Sequence, residues 1–257
     1  MRGRSRAWSR PDRARVHARP RHALEPRAHS APCVVIGENA YPRVAGVLYF
    51  FTVFDLTGNL IVSRVSGSGS FLDTAHSVAA SETLYRVGIL LGLVGNISTI
   101  LLAIALYVTL KAVDGNLAMT ALLFRLVEAV LGLVVIVLAF ATLQIYLDAS
   151  HGTALDAKQL AAFADLVSRT ATAGTDVSVV CFSLGSATFF YLFLRSAYIP
   201  RVLAAWGLLG SLLATIAFAG SLLFPQSSDV LRGIGALPIG IAEPVVGLWL
   251  LLRGIQR

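Results

Sequence analysis

Six long apolar blocks restrict the fold of this sequence more than any other feature. Each is close to or longer than the roughly 20 residues that cross a ~30 Å hydrocarbon core as an α-helix. Apolar residues are continuous within a block and do not alternate with polar ones, which favours helices over a β-barrel. We therefore predict an all-α polytopic membrane protein with six transmembrane helices in a bundle, from the blocks 44–63, 85–110, 117–141, 172–194, 202–224 and 235–252.

Composition supports this class and divides the chain in two. Only 14% of the residues are charged, against about 25% in soluble proteins, so a water-soluble domain is excluded. Residues 1–40 contain nine arginines, three acidic residues and no lysine, and therefore account for +6 of the formal net charge of +7. We predict a basic N-terminal tail over 1–40 and a six-helix transmembrane domain over 41–257.

The tail has four prolines and no apolar periodicity, so it is expected to be disordered. Its arginines would be drawn to anionic lipid headgroups, at about 1 kcal/mol per residue near the surface. No aromatic platform or folded module accompanies them, so nucleic-acid binding is not expected. A second interpretation is that this stretch is translated GC-rich upstream sequence, with the native start at Val34 or Val35.

The lysines and arginines between the blocks give the expected orientation. With the N-terminus inside, the inner side carries Arg43, Lys111, Arg195, Arg201, Arg253 and Arg257, and the outer side carries Arg64, Lys158, Arg169 and Arg232. Both termini are therefore predicted to be cytoplasmic. The outer loop 148–171 has helical spacing, which fits either a short helix on the membrane surface or a cap over the bundle.

Ionisable side chains inside the blocks are the main functional pointers, because each costs at least ~2.5–3.5 kcal/mol at mid-membrane. Arg125 and Glu128 are three residues apart, on one helical face, and are expected to neutralise each other. Arg86 has two candidate partners, Glu82 one turn earlier and Asp176 at similar depth.

Two acids, Asp55 and Glu243, have no evident cationic partner in the sequence. In one interpretation they line a polar cavity and exchange a proton or bind a cation. Thr52 and Asn59 share a helical face with Asp55, and Pro244 frees the backbone carbonyl four residues earlier. In the other interpretation both acids are protonated and hold helices together by hydrogen bonds.

Small residues at helical spacing predict close helix packing. The predicted packing positions are Gly88, Gly92 and Asn96 in the second block and Gly207 and Ser211 in the fifth.

Several strings resemble an uncharacterised bacterial membrane family, "domain of unknown function 4386". They are YPRVAGVLYF (41–50), SETLYRVGILLGL (81–93), LLFRLVEAVLG (122–132), LFLRSAYIPRVLAAWGLLG (192–210) and EPVVGLWLLLRG (243–254). The resemblance implies a six-helix architecture in a bacterial plasma membrane and no established activity. One departure is Ser183-Leu184-Gly185, where relatives often carry Gly-Leu-His.

No HExxH, GxSxG or P-loop motif occurs, and the five histidines lie in the tail or in loops. We therefore expect neither a metal, nor a cofactor, nor an enzyme. The expected function is small-solute or ion-coupled transport, with Asp55 and Glu243 as coupling or substrate-lining acids. The alternative is a non-transporting membrane scaffold or envelope-stress interaction protein, and an intramembrane enzyme comes third. The lipid bilayer is the expected partner, a homo-oligomer is left open, and the substrate is undetermined.

Overall fold

A computed structural model describes residues 40–152 and 156–255. The predicted basic tail, its lipid contacts and the alternative start at Val34 or Val35 lie outside these residues. Within them the chain is helical, and no strand occurs. The helices are α1 (Ala40–Phe51), α2 (Val53–Ser66), α3 (Phe71–Ala80), α4 (Glu82–Leu110), α5 (Gly115–His151), α6 (Ala157–Ser196), α7 (Arg201–Leu223) and α8 (Ser228–Arg253), with a 3₁₀ turn at Pro225–Ser227.

The prediction of six membrane-spanning helices is confirmed. Six helical stretches of the described chain are long and apolar enough to cross a membrane, with α1 and α2 together forming the first and the 3₁₀ turn and α8 together forming the last. Large apolar side chains on their outer surfaces, such as Val137, Leu209 and Ile216, are exposed. This is the surface expected of a protein that is embedded in a lipid bilayer.

The spans form a ring in chain order. Each span packs against the one before and the one after it, and α1 also packs against α8, which closes the ring. At this closure Gly46 faces the backbone of Leu251, and Gly247 faces the side chain of Tyr49. We call the end of the bundle that holds Ala40 and Arg253 the near face, and the opposite end the far face.

An apolar core fills the near half of the ring. All six spans contribute to it, and Leu106, Phe190, Phe193 and Leu250 are among its fully or almost fully buried residues. A smaller cluster around Val78 lies at the far face, between α2, α3, α4 and α5. The space between these two clusters is where the charged residues of the spans meet.

The interpretations of loop 148–171 as a separate surface helix or a cap are wrong. This segment contributes the end of α5 and the start of α6, and α6 runs without interruption from Ala157 to Ser196. At 1.5 Å per residue, α5 and α6 are about 55 and 60 Å long, so they extend beyond a ~30 Å hydrocarbon core. The physical reason is that 157–171 is rich in strong helix formers and contains neither glycine nor proline.

A short helix, α3, lies in the loop between the first two spans. Ser70 begins it with a capping box, in which the Ser70 side chain accepts from the Asp73 backbone and the Asp73 carboxylate accepts from the Ser70 backbone. The hydrogen bonds from Ser70 lower the pKa of Asp73. This cap explains why a helix begins directly after the glycine- and serine-rich run 67–70.

Replacing Gly88 with valine is expected to cost about 1–3 kcal/mol of stability, because overpacking forces helices apart. A Cβ at Gly88 would lie 2.9 Å from the carbonyl oxygen of Gly58, where α2 crosses α4. Gly233→Val is the matched control, since a Cβ at Gly233 meets no atom within 4 Å. Thermal unfolding in detergent compares the two variants, and an equal loss in both would contradict close packing at this crossing.

Candidate functional site

A cavity of about 290 Å³ lies inside the ring, between the two apolar clusters. Each of the six spans contributes to its wall. The residues that carry its chemistry are Thr52, Asp55, Asn96, Arg125, Glu128, Ser178, Phe182, Phe218, Gly240 and Glu243.

The helix of the first span is interrupted where it borders the cavity. α1 ends at Phe51, α2 begins at Val53, and the hydroxyl of Thr52 donates to the Tyr49 carbonyl at 2.6 Å. The amide of Asp55 then reaches back to the Thr52 carbonyl over three residues rather than four, at 3.2 Å. The φ and ψ angles of Thr52, −64° and −22°, are helical, so the interruption is a local change of hydrogen-bond pattern.

The last span, which neighbours the first, contains prolines at the same level. Pro238 and Pro244 lie inside α8, and a proline cannot donate to the carbonyl four residues earlier. Pro244 therefore leaves the Gly240 carbonyl without its helical partner, and Gly240 is a lining residue. Both spans at the ring closure thus have weakened helices beside the cavity.

Arg125 is the centre of the charged cluster. It is 2% exposed, and its Nη1 lies 3.1 Å from Glu128 Oε2, 4.0 Å from Glu243 Oε1 and 3.4 Å from Ser186 Oγ. The Ser186 hydroxyl donates to Glu243 Oε1 at 3.1 Å. The guanidinium carbon lies 4.6 Å from the centre of the Phe182 ring. One cation is therefore shared by two carboxylates and an aromatic ring.

Glu243 thus departs from the sequence-based expectation. It has a cationic neighbour, Arg125, which lies 118 positions earlier in the chain but comes within reach because the ring brings α5 and α8 to the same cavity. Local spacing along one helix could not indicate this contact. Of the two acids singled out together, Asp55 alone has no cation within ion-pair distance among the described residues.

Asp55 is held by two amides over long distances. Asn96 Nδ2 lies 3.4 Å from Oδ1 and Asn59 Nδ2 lies 3.4 Å from Oδ2. Gly95 makes room for this approach, since a Cβ there would lie 2.7 Å from the Asp55 Cβ. Asn59, grouped with Thr52 and Asp55 as cavity-lining by sequence, is exposed and does not line the cavity. Asn59 lies one turn beyond Asp55 on the same face of α2 and contacts its carboxylate, but the cavity does not extend to that turn.

The cavity contains more negative than positive groups. Three carboxylates, Asp55, Glu128 and Glu243, line it with one guanidinium, that of Arg125, which contacts Glu128 and Glu243. Two atoms of the cluster are buried without a hydrogen-bond partner among the described residues, Arg125 Nε and Glu128 Oε2. The 3.1 Å contact of Glu128 Oε2 with Nη1 is a charge contact that lacks hydrogen-bond geometry. An uncompensated carboxylate in a low-dielectric site favours uptake of a proton or a cation.

A second ion pair lies nearer the far face. Arg232 of α8 donates from Nε to Asp176 Oδ1 and from Nη2 to Asp176 Oδ2, each at 2.8 Å. Asp176 is 3% exposed and Arg232 is 29% exposed. Of the two candidate partners of Arg86, the structure shows Glu82, at 2.7 Å, and not Asp176. Sequence reasoning placed Arg232 in a loop and missed its ion pair with Asp176. In the structure α8 begins at Ser228, so Asp229 and Arg232 both lie in its first turns.

The residues singled out for packing divide into two groups. A Cβ at Gly92 would lie 2.8 Å from Ile136 Cδ1, and one at Gly207 would overlap the Phe190 ring. Ser211 is buried and donates to the Gly207 carbonyl at 2.7 Å. Asn96 lines the cavity and also packs its amide against Gly132 of α5. Gly88, Gly92, Gly207 and Asn96 are therefore at close helix contacts, Ser211 is buried with a hydrogen bond inside its own helix, and Asn96 has an additional place in the charged site.

Sequence reasoning missed two further features of the site. Ser186 bridges Arg125 and Glu243, and Gly185 lies against Arg125, where a Cβ would be 3.0 Å from the arginine Cγ. The signal available in the sequence was the four-residue spacing of Phe182 and Ser186, which places both on one face of α6. Among the described residues no group of three His, Cys, Asp or Glu side chains is arranged to hold a metal ion.

The fold and the site define an integral membrane protein with six spans and a charged cavity inside the bundle. A family model described as domain of unknown function (DUF4386) matches residues 44–254, and the chain belongs to that family. No curated protein and no solved structure matches the chain.

Proposed function

We propose that the protein is an ion-coupled transporter of a small solute and that the cavity is its binding site. The observation that carries the proposal is a cavity, to which all six spans contribute, that is lined by three carboxylates and a single guanidinium. A buried excess of carboxylates is costly unless protons or cations bind there. Asp55 is the coupling acid in this proposal, because its neighbours are amides rather than cations.

The interrupted spans support movement around the cavity. Transporters commonly bind substrates near the bilayer midplane, where discontinuous helices border the site. Here the interrupted hydrogen-bond pattern at Thr52 and the prolines of α8 lie on adjacent spans, on the side where the ring closes. Helices with missing backbone hydrogen bonds bend at lower cost than continuous ones. The first and last spans are therefore the pair that we propose to move.

A purely structural role for the acids has weaker support. Carboxyl groups that hold helices together are expected to make short, well-aligned hydrogen bonds between spans. Glu243 makes one contact of this kind, to Ser186 at 3.1 Å. Among the described residues, the only hydrogen bond of Asp55 to another span, from Asn96, is 3.4 Å long. Asp55 therefore fits a coupling role better than a packing role.

The membrane is proposed to be a bacterial plasma membrane, with the near face in the cytoplasm. Five basic residues of the described chain support this orientation: Arg43, Lys111, Arg195, Arg201 and Arg253. Lysine and arginine are enriched in cytoplasmic loops.

Asp55→Asn is expected to abolish solute-driven current while leaving the fold intact, because the amide keeps the size of the side chain and loses its charge. The measurement is charge displacement in proteoliposomes on a supported membrane, with a panel of small cationic, zwitterionic and neutral solutes. Asp165→Asn is the control, since Asp165 pairs with Arg169 on the exposed surface of α6. If wild-type protein is silent and Asp55→Asn changes only the melting temperature, the acid serves packing and the scaffold interpretation replaces this one.

A further inference from the structure

We propose that the cavity binds a small organic ammonium ion, with its nitrogen against Asp55 and Glu128 and its hydrocarbon part against the wall formed by α6, α7 and α8. This inference deepens the proposed function and relies on it for the role of the cavity. The proposal names organic ammonium ions as the class of solute, whereas the charge imbalance of the cavity alone identifies no class.

Hydrogen bonding in the wall leaves acceptors facing a ligand. The hydroxyl of Thr52 donates to the Tyr49 carbonyl, and that of Thr175 donates to the Ala171 carbonyl at 3.0 Å. Ser178 donates to the Glu128 carbonyl at 3.0 Å. Each hydroxyl has one proton, so these three side chains have only lone pairs left to offer. A ligand that satisfies them must be a donor.

The charged residues also favour a ligand that donates hydrogen bonds. Glu128 Oε2 is a buried acceptor without a hydrogen-bond partner among the described residues, and Asp55 has only long contacts. The contacts of Arg125 with Glu128, Glu243 and Ser186 all involve Nη1. A monocation reduces the negative excess of the cavity, whereas a zwitterion leaves it unchanged. The nitrogen of an ammonium ion supplies both the charge and the donors.

Donors of the wall also lack partners among the described residues: Arg125 Nε, Nη2 of the same guanidinium, and the hydroxyl of Thr99. A solute that carries both a carboxylate and an ammonium group would meet these donors and the acids together. Zwitterions are therefore the competing class, and the experiment must separate them from simple amines.

Other lining residues have the chemistry of a hydrocarbon contact. They are Val179 and Phe182 of α6, Phe218 of α7, and Ala236 and Ile239 of α8. The volume of about 290 Å³ is far larger than the ~30 Å³ that one water occupies in the liquid, so a lone metal ion would leave most of it unfilled. Aromatic faces also attract organic cations, and Phe218 offers one. The cavity thus has both acidic and apolar lining residues, as an amine requires.

Calorimetric titration of the purified full chain in detergent tests the proposal with four probes. They are n-butylammonium, 4-aminobutanoate as the zwitterion with the same carbon chain, 1-butanol as the neutral analogue, and sodium ion. We expect n-butylammonium to bind wild-type protein at least about tenfold more tightly than each of the other three, a factor that corresponds to about 1.4 kcal/mol.

Two variants test the site itself. Asp55→Asn is expected to weaken n-butylammonium binding at least about tenfold. Gly240→Leu is expected to abolish it by filling the cavity, because a Cβ at Gly240 meets no atom within 4 Å. Leucine is a far better helix former than glycine, so this variant should melt no lower than wild type. The exposed substitution Asp165→Asn should bind as wild type does.

Three results would overturn the proposal. One is tightest binding of 4-aminobutanoate or sodium, another is unchanged n-butylammonium binding in both cavity variants, and the third is no binding of n-butylammonium at all. The transport proposal fails separately. Asp55-dependent currents with solutes that are not amines would support transport and contradict amine binding. Amine binding that depends on the cavity, without any current, would support amine binding and contradict transport.

Discussion

Replacing Arg125 with methionine is expected to lower the free energy of unfolding by about 3–5 kcal/mol, because removal of one partner of a buried ion pair leaves the other charge uncompensated. Arg125 is 2% exposed and lies within 4.0 Å of two carboxylates, Glu128 and Glu243. Methionine preserves much of the length of the side chain, so the loss of charge is the main change. Thermal and denaturant unfolding in detergent, followed by circular dichroism, measures the effect.

Two companion variants give this prediction its controls. Arg169→Met removes an arginine from an exposed i, i+4 pair with Asp165 and should change stability by less than about 1 kcal/mol. A triple variant that combines Arg125→Met with Glu128→Gln and Glu243→Gln should regain most of the loss, since neutral amides need no counter-ion. A melting temperature that stays at the wild-type value in Arg125→Met alone would mean that the two acids are already neutral in the folded protein.

The second large effect is an asymmetry in the Arg232–Asp176 pair. Arg232→Met is expected to cost about 3–5 kcal/mol, because it leaves a carboxylate that is 3% exposed without a cation. Asp176→Asn should cost less, about 1.5–3 kcal/mol, the range for hydrogen bonds to charged groups. Arg232 is 29% exposed and keeps its contact with Asp229 at 3.3 Å, so it remains solvated when Asp176 loses its charge.

Unfolding of the two single variants side by side tests the asymmetry. Asp229 is 98% exposed, so Asp229→Asn is the control for the loss of an acid beside Arg232 without the loss of a buried group. Equal losses in Arg232→Met and Asp176→Asn, or a larger loss in Asp176→Asn, would contradict the view that burial of the carboxylate determines the cost.

Local properties of the sequence account for the parts of the fold that were predicted well. The length and hydropathy of each block indicate a span whatever the rest of the chain does, and all six spans are present. The same reasoning failed for 148–171, where α5 and α6 continue as helices beyond the apolar layer. The hydropathy of a block indicates which residues lie in the membrane, and helix propensity indicates which residues are helical. An apolar block and the helix that contains it therefore need not end at the same residue.

Contacts within one helix were likewise within reach of the sequence. Arg125 and Glu128 are three residues apart, and Arg86 and Glu82 are four apart, spacings at which helical side chains meet. Asn59 shows the limit of this reasoning, because it contacts Asp55 one turn away on α2 but is exposed and does not line the cavity. Spacing along a helix indicates which face a residue lies on, and not whether a cavity extends to its depth.

The sequence by itself determined the class of protein, the number of spans, their ionisable residues and the contacts between near neighbours in the chain. Only the tertiary structure decided which of those residues share a cavity, that Glu243 lies beside Arg125, and that Asp176 pairs with Arg232. These partners are 118 and 56 residues apart in the chain. The physical reason is that a ring of six helices, closed by α1 against α8, sets the rotation and depth of each span through packing against its neighbours, and neither quantity is a property of one segment.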